Sequence, residues 1–108
     1  MYTKIKNTLK NIPKDYLIGV FIFIIGFSVY ITTVSRYITA FGDSEELLTS
    51  GYLLSTAHPP GYPLFTFLVF LLTHILPLES VTFKGHLLAA LFQSLTISIF
   101  YLSLVKLL

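Results

Sequence analysis

Tyr16 to Val34, YLIGVFIFIIGFSVYITTV, runs for 19 residues without a charge. As a helix it is about 29 Å long at 1.5 Å per residue. A bilayer's hydrocarbon core is about 30 Å thick, so the run predicts a transmembrane helix over 16–34. A secretory signal peptide shares a basic start and an apolar run, but its apolar region is about 7–15 residues, with a small-residue cleavage site close behind. Ile38-Thr39-Ala40 is a poor and distant match to such a site. Lys4, Lys6, Lys10 and Lys14 precede the run and Arg36 alone follows closely. Basic residues are retained on the cytoplasmic side, so residues 1–15 read as a cytoplasmic tail.

The rest of the chain agrees with a lipid environment. Of 108 residues, 55% are hydrophobic and 11% charged, and the mean hydropathy is +0.81. Soluble domains carry about 25% charged residues, and a chain this short buries only about two thirds of its surface. Cysteine is absent, which excludes disulfide frameworks and thiolate metal sites. The net charge of +2 comes from the lysines near the start, so it is no signal for nucleic acid. Leu87 to Val105 is a second charge-free run, ended by Lys106, and predicts a second span over 87–106. Leu64 to Leu76, between Pro63 and Pro77, is 13 residues and about 20 Å as a helix, too short to span without thinning the bilayer; a span there would put Lys84 inside and Lys106 outside. It reads as a juxtamembrane helix over 64–76. The fold class is therefore all-α, a polytopic membrane protein with an external loop over 35–86. The chain ends while still apolar, at Leu107-Leu108, and reads as the N-terminal part of a longer membrane domain.

The loop concentrates the chemistry. Asp43, Glu45 and Glu46 fall within four positions. Leu47, Leu48, Gly51, Tyr52 and Leu54 then recur at helical spacing, which predicts an amphipathic surface helix over 44–57. Asp43-Ser44-Glu45-Glu46 fits a capping box, with the Asp43 carboxylate on a backbone N–H and Glu46 reaching back to the Asp43 N–H. A carboxylate held at a helix start is also well placed as a base. In His58-Pro59-Pro60-Gly61-Tyr62-Pro63, three prolines remove three N–H donors. Residues before proline are pushed toward extended backbone, namely His58, Pro59 and Tyr62, while Gly61 turns freely. The stretch serves either as a stiff connector or as a wall holding His58 and Tyr62 toward a site. His58, His74 and His86 lack ligand-like spacing, and no metal site is assigned. His74 is expected to find a polar partner or the interface, and Arg36 and Lys84 to mark the headgroup level.

Gly42-Asp43-Ser44-Glu45-Glu46-Leu47 followed by His58-Pro59-Pro60-Gly61-Tyr62-Pro63-Leu64 resembles one family. It is that of the transmembrane O-mannosyltransferases of the plexin-modifying type and their uncharacterised bacterial homologues, in the GT-C class of glycosyltransferases. The pattern there is similar to GDSGEL…HPPGYPL, and Glu45 departs from it where a small residue is usual. The resemblance covers 16–108 and implies GT-C-type N-terminal spans. It implies an enzyme that moves mannose or a similar sugar from a polyprenyl-phosphate carrier to a hydroxyl of a protein or glycan acceptor, with this portion inactive alone. Asp43, with Glu46 second, would be the catalytic carboxylate, as base or as ligand to a divalent metal. Ser44, His58 and Tyr62 would contact substrate. The setting would be a bacterial inner membrane or endoplasmic reticulum, with loop 35–86 periplasmic or lumenal and membrane lipid around the spans. Two other classes fit the pattern without the resemblance: a small membrane anchor or regulatory protein with Asp43 only a cap, and the first spans of a transporter with a broken helix.

Overall fold

A computed structural model describes residues 1–5, 12–37, 42–77 and 80–108. Lys6, Lys10, the Ile38-Thr39-Ala40 run and Glu79 lie outside these. Among the described residues there is no strand, and four helices of ten residues or more follow one another: α1 (Lys14–Thr33), α2 (Ser44–Leu53), α3 (Pro63–Ile75) and α4 (Val81–Leu107). α1 and α4 are long and apolar enough to cross a membrane, and most of their apolar windows is exposed. A core helix of a soluble protein would hide that surface. α3, at 13 residues, is the short apolar helix expected between them.

The chain divides into two compact units. The first comprises Met1–Tyr30 and Leu91–Leu108. Small residues form its helix contacts. The Ser98 hydroxyl donates to the Gly19 carbonyl at 2.6 Å, and a Cβ at Gly19 would stand 3.2 Å from Leu102. Gly26 faces Ser94, which is fully buried. Lipid offers no hydrophobic drive between helices, so close approach over small residues and interhelical hydrogen bonds hold such contacts.

The second unit is Ile31–Ala90, and its centre is the packed pair α2 and α3. Val69 has no exposed surface and packs with Leu48 of α2 and Leu88 of α4, flanked by Phe65, Leu68 and Leu72. It sits against Gly51, where an added Cβ would stand 2.5 Å from Val69 Cγ1 and 3.4 Å from the Thr66 carbonyl oxygen. Thr66 can line this contact because its hydroxyl donates to its own helix, to the carbonyls of Tyr62 and Pro63, both at 3.1 Å. Pro63 opens α3 at a position where the missing N–H has no helical partner to lose.

Several boundaries differ from the sequence reading. α2 ends at Leu53 rather than at 57. Leu54 takes left-handed φ 51° and ψ 43°, donating to Gly51 O at 3.3 Å, while Ser55 donates to Ser50 O at 2.9 Å. This is a Schellman closure with leucine in the usual glycine place. α4 begins at Val81 rather than 87, because the Ser80 hydroxyl accepts the Phe83 N–H at 3.1 Å and caps the start. Lys84, expected at the headgroups, is instead buried, and its Nζ donates to Thr73 O at 3.1 Å in the last turn of α3. A cation there satisfies an orphan carbonyl and complements the helix dipole.

Gly51→Ala tests the central contact. Overpacking against buried Val69 costs about 1–3 kcal/mol, against about 1 kcal/mol gained from helix propensity. The unfolding midpoint in detergent should fall, and it should fall less when Val69→Ala is already present, since the two sites share one contact. Equal effects in both backgrounds would dismiss the Gly51–Val69 contact as the cause.

Candidate active site

Asp43 precedes α2 with φ −91° and ψ 9°, after Gly42 at φ +82°, a left-handed turn that glycine adopts without penalty. Its carbonyl accepts the Leu47 N–H at 2.9 Å, so Asp43 is the helix-start residue by backbone. Its carboxylate makes no cap hydrogen bond. The capping box is therefore not formed, because Glu46 turns elsewhere. One Glu46 oxygen accepts the His58 backbone N–H at 2.6 Å, and the other accepts the His58 ring Nδ1–H at 2.9 Å. The carboxylate bridges main chain and side chain of one residue twelve positions on.

The loop after α2 delivers His58 to it. A cis peptide joins Pro59 and Pro60, and the Gly61 N–H donates to His58 O at 2.7 Å, closing the turn. Gly61 takes φ +87°, as expected of the one freely turning position. Tyr62 takes left-handed φ 45° and ψ 51° rather than extended backbone. Its carbonyl thereby accepts the Thr66 N–H at 3.0 Å and starts α3. The Tyr62 ring meets His58 edge-on at 5.5 Å and 72°. On its other side, His58 Nε2 faces Asp43 Oδ2 at 3.7 Å, an ion-pair separation. The site is open, with His58 37% exposed and Asp43 62%.

Asp43, Glu46 and Tyr62 thus each lie against His58. Ser44 occupies the first turn of α2 but does not line the adjoining cleft. That cleft, about 430 Å³, is lined by Gly42, Asp43, Glu45, Glu46, Thr49 and Ser50. Thr49 and Ser50 were not anticipated, although their i, i+3 and i, i+4 spacing from Glu46 puts them on one helix face. Glu45, the departure from the family pattern, lies in the same cleft. Among the described residues no three carboxylates and imidazoles converge as a metal-ligand set. His74 has its polar partners in Phe70 O at 2.8 Å and the Thr73 hydroxyl at 3.1 Å, and it stacks on Tyr52 at 5.2 Å. His86 joins its Nδ1 to Ser35 O at 2.9 Å. Both serve the scaffold.

Two carboxylates and an imidazole thus meet at the start of α2 in an all-helical chain with two helices long and apolar enough to cross a membrane. The family comparison gives the particular: residues 43–108 match the family model described as the Protein O-mannosyl-transferase TMEM260 N-terminal domain. The chain belongs to this family. It is 39% identical over 80 residues to the mouse (Mus musculus) protein named Protein O-mannosyl-transferase TMEM260, covering 74% of this chain and 11% of that protein. It is also 39% identical over 64 residues to the Dictyostelium discoideum protein of the same name, covering 57% of this chain and 8% of that one. The chain thus spans a small fraction of the relatives' length. No solved structure matches it.

The Glu46 carboxyl is held below its ordinary range, first by the His58 backbone N–H and then by the His58 ring. Such a group stabilises the fold above its unfolded pKa and loses that contribution as pH falls through the lower, folded value. The Glu46 side chain is 48% exposed, so solvent screens the effect and keeps it local. Hydrogen exchange of the His58 amide, corrected for intrinsic rate, should show constant protection down to the ordinary carboxylate range and loss below it. Protection that ignores pH would argue against the contact.

Proposed function

We propose that this chain is the N-terminal portion of a GT-C membrane glycosyltransferase that moves mannose, or a similar sugar, from a polyprenyl-phosphate carrier to a hydroxyl of a protein or glycan acceptor. The portion is inactive alone. The observation that carries the reading is the convergence of Asp43, Glu46 and His58 beside an open cleft, in a segment that belongs to a family whose named relatives are protein O-mannosyl-transferases.

Asp43 is the base. Its carboxylate is committed to no cap and lies on the cleft, free to accept the proton of a hydroxyl nucleophile. Glu46 is the second carboxylate, and Ser44, His58 and Tyr62 contact substrate. The lysines ahead of α1 keep the N-terminus cytoplasmic, so the site faces the periplasm or lumen, where a membrane-embedded carrier presents its sugar. α3, too short to span, supports the site at the lipid–water boundary.

Two measurements test this. Asp43→Asn in the full-length protein keeps size and removes basicity. Sugar transfer in membranes should fall by about 10²-fold or more at equal protein level. Undiminished transfer by the variant would remove Asp43 from the mechanism, and no transfer by the wild type from a polyprenyl-phosphate mannose would remove the donor. For topology, a cysteine at exposed Thr49 should react with an impermeant maleimide from the periplasmic or lumenal side, and one at Thr3 should not. The reverse pattern would invert the orientation.

A further inference from the structure

We propose that His58 is the proton relay behind Asp43, and that Glu46 is a positioning residue that fixes His58 in the tautomer able to act as one. This rests on the transfer reaction proposed above.

An ionised carboxylate only accepts hydrogen bonds. Glu46 lies 2.9 Å from His58 Nδ1, so that nitrogen carries the proton, and in the neutral ring Nε2 is then a bare acceptor. The second Glu46 oxygen holds the His58 backbone N–H at 2.6 Å, which fixes the residue as well as the ring. Nε2 points at Asp43 Oδ2 from 3.7 Å. With the ring neutral, two acceptors face each other there and no hydrogen bond forms between them. A proton taken up by Asp43 changes the pair into donor and acceptor. The arrangement is poised for the proton that the reaction generates.

The step balances without a co-reactant. The acceptor O–H bond breaks and its proton passes to Asp43. The freed oxygen pair forms the bond to the sugar's anomeric carbon, while the bond from that carbon to the carrier phosphate breaks and its electron pair leaves with the phosphate. The Asp43 proton then moves to His58 Nε2, and the carboxylate is restored. The imidazolium keeps its Nδ1–H on Glu46 and gives the new Nε2 proton to water, which reaches the 37% exposed side chain. The titratable groups facing the ring are Asp43 and Glu46 from α2 and Tyr62 from the lead into α3, whose ring stands edge-on. Glu45 lies across the cleft.

The test uses full-length protein in membranes, with a polyprenyl-phosphate mannose donor and a hydroxyl-bearing acceptor peptide. His58→Asn places an amide N–H where Nδ1–H was and keeps the backbone N–H, so both Glu46 contacts survive while Nε2 is gone. Turnover should fall by about 10²-fold. The acid limb of the pH–rate profile that belongs to the imidazole should vanish, leaving the carboxylate limb at lower pH. Glu46→Gln still accepts the backbone N–H but offers its amide N–H to Nδ1, which drives the proton to Nε2; turnover should fall with protein level unchanged. Ring nitrogen shifts of isotope-labelled histidine, assigned to His58 by their loss in His58→Asn, should report Nδ1–H in the wild type and Nε2–H in Glu46→Gln, independently of activity. Wild-type turnover or a retained imidazole limb in His58→Asn, or an Nε2–H tautomer in the wild type, would overturn the relay. If Asp43→Asn is inactive in the same assay, the base reading survives that loss; if it is fully active, both fall.

Discussion

The seating of Val69 against Gly51 is the contact on which the second unit depends. A buried β-branched side chain fills space that only a residue without Cβ leaves open. The two backbones thereby come close together at Gly51, in the second half of the 10-residue α2. Leu48 and Leu88 complete the same cluster, so α4 is gripped by the same point. With α2 and α3 fixed, the loop from Leu54 to Tyr62 has its ends set. His58 can reach Glu46 only because that loop is anchored at both sides. The chemistry on the outer face of α2 is thus held by a contact on its inner face.

The sequence carried the helices well and the side-chain partners less well. Long apolar runs are set by bilayer thickness, so α1, α3 and the body of α4 were legible from length alone. Helix ends depend on single hydrogen bonds, and these were misjudged. Leucine at 54 in a left-handed conformation breaks no pattern in the sequence, and the Ser80 cap lies ahead of a polar turn that hydropathy passes over. The family motif drew attention to Asp43, Glu46, His58 and Tyr62. Local spacing alone suggested that Glu46 would bond back to Asp43. The actual partner is twelve residues away and becomes available only once α2 and α3 are packed. Lys84 is similar: its charge argued for the headgroups, whereas an unsatisfied carbonyl at the end of α3 draws it inside.

Polar groups in this chain are placed where apolar surroundings would otherwise make them costly. Ser98 reaches the Gly19 carbonyl, Thr66 bonds within its own helix, and His86 joins the Ser35 carbonyl. Among the described residues no buried side-chain nitrogen or oxygen lacks a hydrogen-bond partner. The carboxylates are the contrast. They are exposed, and one of them has no structural employment as a cap, which is an arrangement that capping alone does not explain.

The Glu46–His58 clamp also bears on how the protein is made. Asp43, Glu46 and His58 leave the ribosome within 16 residues of one another (43 through 58), about one to three seconds of synthesis. Closing a loop of about ten residues takes on the order of 10–100 ns. The clamp therefore joins near neighbours in time as well as in sequence. Once α2 and α3 have emerged and paired, the site needs nothing from later in the chain for its three groups to meet. α4 then arrives with Leu88 to lock the pair. Asp43, Glu46 and His58 are thus supplied by one short stretch of chain, made within seconds.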